Sequence, residues 1–170
     1  MHVECLHPDD LPRFAELGVV PAMQPRHCSP DFTAGAWMDN VGEQRWALAW
    51  AFRSLSRSGA PLAFSSDWQV AEMDPLVGLY SALTRASLDG RRSWVPEQTL
   101  DLDTALAAYT RGGAWAWHAE QHIGTLEPGK LADLVMLSAD PYGEDPAALL
   151  DLRVDATVVG GVVVHGEGAG

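Results

Sequence analysis

The sequence predicts an α/β protein in two parts: a parallel sheet built by strand–helix alternation over residues 1–122, then a small antiparallel sheet over residues 123–170. Three observations predict it. Short apolar runs at residues 19–23 and 60–64 each end abruptly in polar groups, as buried strands do at their C-terminal edge. The stretches between them carry helical spacing, which gives the βα order of a parallel sheet. Near the C-terminus, Gly160-Gly161 separates two β-branched runs, a strong hairpin signal.

The elements follow in order. Residues 1–6 are apolar on alternate positions and read as the end of a strand. Pro8-Asp9-Asp10 supplies a cap and an acidic first turn to a helix carrying Leu11, Phe14, Ala15 and Leu17, which Gly18 stops. Residues 19–23 are the next strand. A loop of small and polar residues over 29–40 leads to a helix predicted over 42–58, with Trp46 and Trp50 on one face and Gly59 at its end. The strand at 60–64 follows. Asp74-Pro75 then opens a helix over 76–87, and Asp101 and Asp103 open another over 102–114. From Ile123 the pattern changes: residues 124–130 are turn chemistry, 132–137 a strand, and 154–159 with 162–165 a hairpin. The glycine-rich last five residues read as frayed.

Composition narrows the partners. A net charge of −12 and a pI near 4.7 argue against nucleic acid and anionic membrane surfaces, which would repel the chain, and favour a small-molecule substrate. Cys5 and Cys28 are too few for a disulfide framework and read as free thiols of a reducing compartment. No secretory signal and no apolar run long enough to cross a bilayer is present, so a cytoplasmic protein is expected.

Asp67 is the leading functional candidate. A carboxylate at a strand C-terminus sits where α/β folds bind ligands, and it can hold a metal or carry a proton. Taken alone, Ser65-Ser66-Asp67 fits a capped turn better than a catalytic site. Gln24 and His27 stand in the same layout after residues 19–23. His118 and His122, four apart, could share a metal on one helical face, but no acidic partner stands in register. His7 reads as a capping residue, His165 as solvent-facing, Cys28 as a thiol without a base, and Arg91-Arg92 as a solvated loop pair.

Four stretches together resemble the C-terminal part of amidohydrolase family 3, metal-dependent hydrolases of the urease-related superfamily that include N-substituted formamide deformylases. They are His2-Val3-Glu4-Cys5-Leu6-His7-Pro8-Asp9-Asp10 with residues 12–19, Met23-Gln24-Pro25-Arg26-His27, Ser66-Asp67-Trp68 with Asp74-Pro75-Leu76, and residues 123–135. The resemblance implies the last strands of a (β/α)₈ TIM barrel over residues 1–122, and strands of the small β-sandwich beside it over 123–170. It places His2 on the metal-binding histidine of the sixth strand and Asp67 on the metal ligand and proton carrier of the eighth. Gln24 and His27 fall on substrate-facing positions of the seventh. The implied cofactor is a divalent metal, zinc first, and the implied reaction is hydrolysis of a non-peptide C–N bond, amide-like or formamide-like. Asp133 takes a structural place at the start of a sandwich strand.

The departures matter too. The family's His-x-His, its bridging carboxylate and its fifth-strand histidine have no counterpart. Met1 replaces the usual Glu, and Ser65 and Gln69 replace a Gly and a Pro. A whole barrel of this type takes about 250 residues, so the expectation is a fragment with an incomplete zinc site. Its open strand edges would be covered by a second copy or by a complementary N-terminal half. The alternative is a non-catalytic relative that survives as such a partner-binding module.

Overall fold

A computed structural model describes residues 1–143 and 145–167. Two strands, β1 (Ala22–Met23) and β2 (Ala63–Phe64), pair in parallel with Ala22 opposite Ala63 and Met23 opposite Phe64. The described residues also form seven short α-helices: α1 (Leu11–Glu16), α2 (Pro30–Thr33), α3 (Ala36–Val41), α4 (Phe52–Arg57), α5 (Pro75–Thr84), α6 (Leu102–Tyr109) and α7 (Arg111–Ala116). A three-stranded antiparallel sheet follows, with β3 (Leu134–Leu137), β4 (Val154–Val159) and β5 (Val162–His165) in that order.

The hairpin β4–β5 turns at Gly160-Gly161, both with positive φ, as the sequence predicts. Asp133, the residue before β3, anchors this turn by accepting the Gly160 N–H at 2.7 Å. The two helix caps read from sequence are also present. Asp74 Oδ1 accepts the Leu76 N–H at 2.9 Å to start α5, and Asp101 Oδ1 accepts the Thr104 N–H at 2.8 Å to start α6.

Several predicted elements are shorter than expected. The strand over 19–23 is only the two residues of β1, and residues 1–6 form a bridge between Cys5 and Ala49 in place of a strand, so three parallel βα units reduce to one parallel pair. The helix over 76–87 ends at Thr84 because Arg85 adopts a left-handed φ of 51°. The helix over 102–114 breaks at Thr110 into α6 and α7, and Gly112 of α7 lies against the Leu62 carbonyl, where a Cβ would collide.

The predicted helix over 42–58 is the largest correction. It divides into a 3₁₀ segment, Glu43–Leu48, and α4, with Trp50 between them at φ 42°. An α-helix through this stretch would use the Ala49 and Trp50 carbonyls internally. Here the Arg85 guanidinium takes both, at 3.1 and 3.0 Å, together with the Trp94 carbonyl at 3.2 Å. The Ser54 N–H is likewise taken by Gln98 Oε1 at 3.0 Å. Remote hydrogen bonds therefore replace the local ladder.

The core gathers Trp50, Phe52, Leu55, Phe64, Leu79 and Ala105, and Leu149 from the C-terminal segment joins the same cluster. Trp46 and Trp50 do not share a helix face, but both rings pack edge-on to Trp94, at 5.8 and 6.2 Å. No helix among the described residues is long and apolar enough to cross a membrane.

Candidate functional site

Parallel pairing puts the residues after β1 beside those after β2. The Ser65 N–H donates to the Met23 carbonyl at 3.1 Å, and the His2 N–H donates to the Ala22 carbonyl at 2.9 Å. Three separate segments thus deliver His2, Gln24 with His27, and Ser65 with Asp67 to one edge. At that edge the ligand atoms of His2, His27 and Asp67 all lie within 4.8 Å of one another.

The surrounding groups fix this cluster. His2 Nδ1 lies 2.7 Å from Gln24 Oε1, and Gln24 Nε2 donates to Ser65 Oγ at 2.9 Å. Ser65, where the resembled family carries Gly, is thereby the far end of a relay that orients His2. His27 stacks against His2 with ring centroids 5.8 Å apart, and its Nε2 stands 3.7 Å from Asp67 Oδ2. That Nε2 is buried and has no hydrogen-bond partner. Burial lowers the His27 pKa, with the Asp67 carboxylate partly opposing, so the ring favours its neutral form with a lone pair to offer. An orphaned imidazole nitrogen facing a carboxylate and a second imidazole fits a divalent metal by donor type. Asp67 itself has a left-handed φ of 58° and its side chain is about a third exposed.

Arg26 secures the loop that carries Asp67. Although 5% exposed, it donates to both Glu72 oxygens, at 2.9 and 3.2 Å, and to Asp31 at 3.0 Å, with its guanidinium over the Phe32 ring. The Glu72 carboxyl is held below its ordinary value by the Arg26 hydrogen bonds.

Each sequence-derived candidate has a definite place. His2, His27 and Asp67 converge, while Gln24 is 1% exposed and has both amide atoms engaged. His118 and His122 lie outside the metal-competent group. His7 caps a turn by accepting the Asp9 N–H. Cys28 is fully buried and burial raises its thiol pKa, which removes it as a nucleophile. Arg92 is not simply solvated, since it pairs with Asp31 at 3.2 Å.

Sequence reasoning missed the wall opposite the cluster. A cavity of about 300 Å³ opens there, completed by Glu4, Phe32, Trp37, Trp50 and Val70. The number of tryptophans was a signal, but their spacing does not reveal that Trp37 and Trp50 meet. A larger depression of about 490 Å³ lies at the other end of β2, against Leu62 and Gly112, and contains no imidazole.

The model of the amidohydrolase family matches residues 1–165. Protein LONG AFTER FAR-RED 3 of Arabidopsis thaliana is 35% identical over 164 residues, 94% of this chain and 27% of its own length. YtcJ of Bacillus subtilis, named as an amidohydrolase, is 31% identical over 168 residues, 97% of this chain and 31% of its own. N-substituted formamide deformylase of Arthrobacter pascens is 30% identical over 65% of this chain and 20% of its own. Among solved structures, a variant of the atrazine chlorohydrolase of Arthrobacter aurescens, complexed with zinc and atraton, superposes with a TM-score of 0.66 at 26% identity, covering 97% of this chain and 35% of that one. The chain therefore spans less than a third of the length of the curated relatives it matches. Its structural neighbours are metal-dependent hydrolases of the same fold. Both the matched family and the converged donors lead to one conclusion: this chain belongs to the amidohydrolase family.

Proposed function

We propose that the chain forms part of a metal-dependent hydrolase of non-peptide C–N bonds, amide-like or formamide-like. The single observation that carries this reading is the convergence of His2, His27 and Asp67 within 4.8 Å. The reading assigns residues 1–122 to the closing strands of a TIM barrel and residues 123–170 to strands of its small β-sandwich. It makes His2 and Asp67 metal ligands, with His27 at substrate or ligand distance beside them. Gln24 acts through His2, whose orientation it sets.

A divalent cation, zinc first among the candidates, supplies a more acidic water and a polarised carbonyl when bound at such a site. Asp67 accepts the proton of the attacking water at its carboxylate and returns it to the nitrogen as the C–N bond breaks, leaving a carboxylic acid and an amine. The C–N assignment is supported by the formamide deformylase relative, and zinc by the zinc-containing neighbour. Two free cysteines suit the cytoplasm.

A second reading is favoured by one observation: among the described residues β2 pairs with no strand but β1, so its second edge has no strand partner. In that reading the chain is a partner-binding module whose edge takes a strand from a complementary N-terminal half or from a second copy. Amide and formamide hydrolysis by the purified chain, assayed with added zinc, manganese or iron, tests the first reading. Activity that needs the metal and disappears in Asp67→Asn supports it. Turnover equal to that of Asp67→Asn contradicts catalysis by this chain and leaves the module, which a stable complex with a complementary half would establish.

A further inference from the structure

The cavity beside the cluster has two unlike halves. One is the donor set of His2, His27 and Asp67. The other is aromatic. Trp37 and Trp50 lie 4.7 Å apart with planes inclined at 38°, and Phe32 lies 5.8 Å from His27 at 32°. Flat walls of this kind hold a flat ring better than an alkyl chain of equal size.

The charges of the lining are one-sided. Glu4 and Asp67 contribute carboxylates, and no lysine or arginine lines the cavity. Glu4 is fixed at the aromatic wall, because Trp37 Nε1 donates to its Oε2 at 2.9 Å. Arg26, which lies over Phe32, is engaged by Glu72 and Asp31 and offers no counter-charge. A carboxylate held beside a ring at this wall would lose its hydration and meet the like charge of Glu4.

From these two features we infer that the site takes uncharged aromatic amides, with the ring lodged against Trp37 and Phe32, and rejects substrates bearing a carboxylate beside that ring. The inference rests on the amide-hydrolase reading and adds the substrate class. A volume of about 300 Å³ admits a single ring with its amide. Specificity then resides in Trp37, for shape, and in Glu4, for charge.

Benzamide and benzoate share a ring and differ in charge, and acetamide lacks the ring, so the three separate the two features. The 170-residue chain, ¹⁵N-labelled and treated with chelator to exclude metal, is titrated with each while the indole N–H signals are followed. The expected result is a shift of the Trp37 signal by benzamide, about tenfold weaker binding of benzoate, and no response to acetamide. Trp37→Phe retains benzamide binding, and Trp37→Leu weakens it about tenfold with an unchanged circular dichroism spectrum. Benzoate binding as tightly as benzamide would overturn the inference, as would undiminished benzamide binding by Trp37→Leu. A parallel zinc titration keeps the readings apart. Loss of zinc binding alone condemns the metal site, whereas loss of benzamide selectivity alone condemns the aromatic subsite.

Discussion

His2 Nδ1 meets Gln24 Oε1 at 2.7 Å, while the other end of the same amide donates to Ser65 Oγ. Because Gln24 presents its oxygen to the ring, Nδ1 carries the proton and Nε2 keeps the lone pair that a metal needs. Gln24→Ala is expected to weaken zinc binding about 10- to 100-fold, measured by competition with a chromophoric chelator. Ser65→Gly should have a smaller effect in the same direction, since it removes only the outer member of the relay.

Arg26 and Glu72 tie the Asp67 loop to the turn after β1. The Glu72 carboxyl is depressed below its ordinary value of 4.5 by the Arg26 hydrogen bonds. The folded state thus binds the proton less readily than the unfolded chain, and the contribution is present above that value and lost as pH falls through and below it. Thermal melts should show Glu72→Gln less stable than the parent at pH 7, with the difference closing in the acid range.

Arg85 carries three backbone carbonyls on one buried guanidinium. Arg85→Met removes the side-chain donor from all three and leaves the Ala49 and Trp94 carbonyls without it, while the Trp50 carbonyl keeps the Phe52 N–H, and the change is expected to cost about 2–3 kcal/mol, read from urea unfolding. Because two of the carbonyls belong to Ala49 and Trp50, the variant should also disturb the aromatic wall.

Gly112 allows α7 to lie directly on the Leu62 carbonyl at the start of β2. Gly112→Ala forces helix and strand apart and is expected to destabilise by about 1–3 kcal/mol. Gly113→Ala, where nothing lies within 4 Å, is the matched control and should be neutral or stabilising.

The hairpin at Gly160-Gly161 and the caps at Asp74 and Asp101 were legible because each depends on neighbours in sequence or on turn chemistry, whereas the structural place of Asp133 came from the resemblance and its partner Gly160 lies far along the chain. The strand C-termini at His27 and Asp67 were legible from abrupt changes of polarity. The break in residues 42–58 was not, because it is made by Arg85 and Gln98, which lie far along the chain. Similarly, resemblance pointed to His2 and Asp67 as metal ligands and to His27 as facing the substrate, yet only the structure shows the ligand atoms of all three within 4.8 Å of one another. The aromatic wall depends on Trp37 and Trp50 meeting across an irregular segment, for which no periodic pattern exists.

The central claim is that one divalent ion is held at the His2, His27 and Asp67 cluster, with His2 and Asp67 as its ligands. Isothermal titration of the chelator-treated chain with zinc tests it most directly, run beside His2→Ala and Asp67→Asn. One zinc per chain, with affinity lost in both variants and an unchanged circular dichroism spectrum, is the predicted result. No binding, or binding that both variants retain, would contradict it.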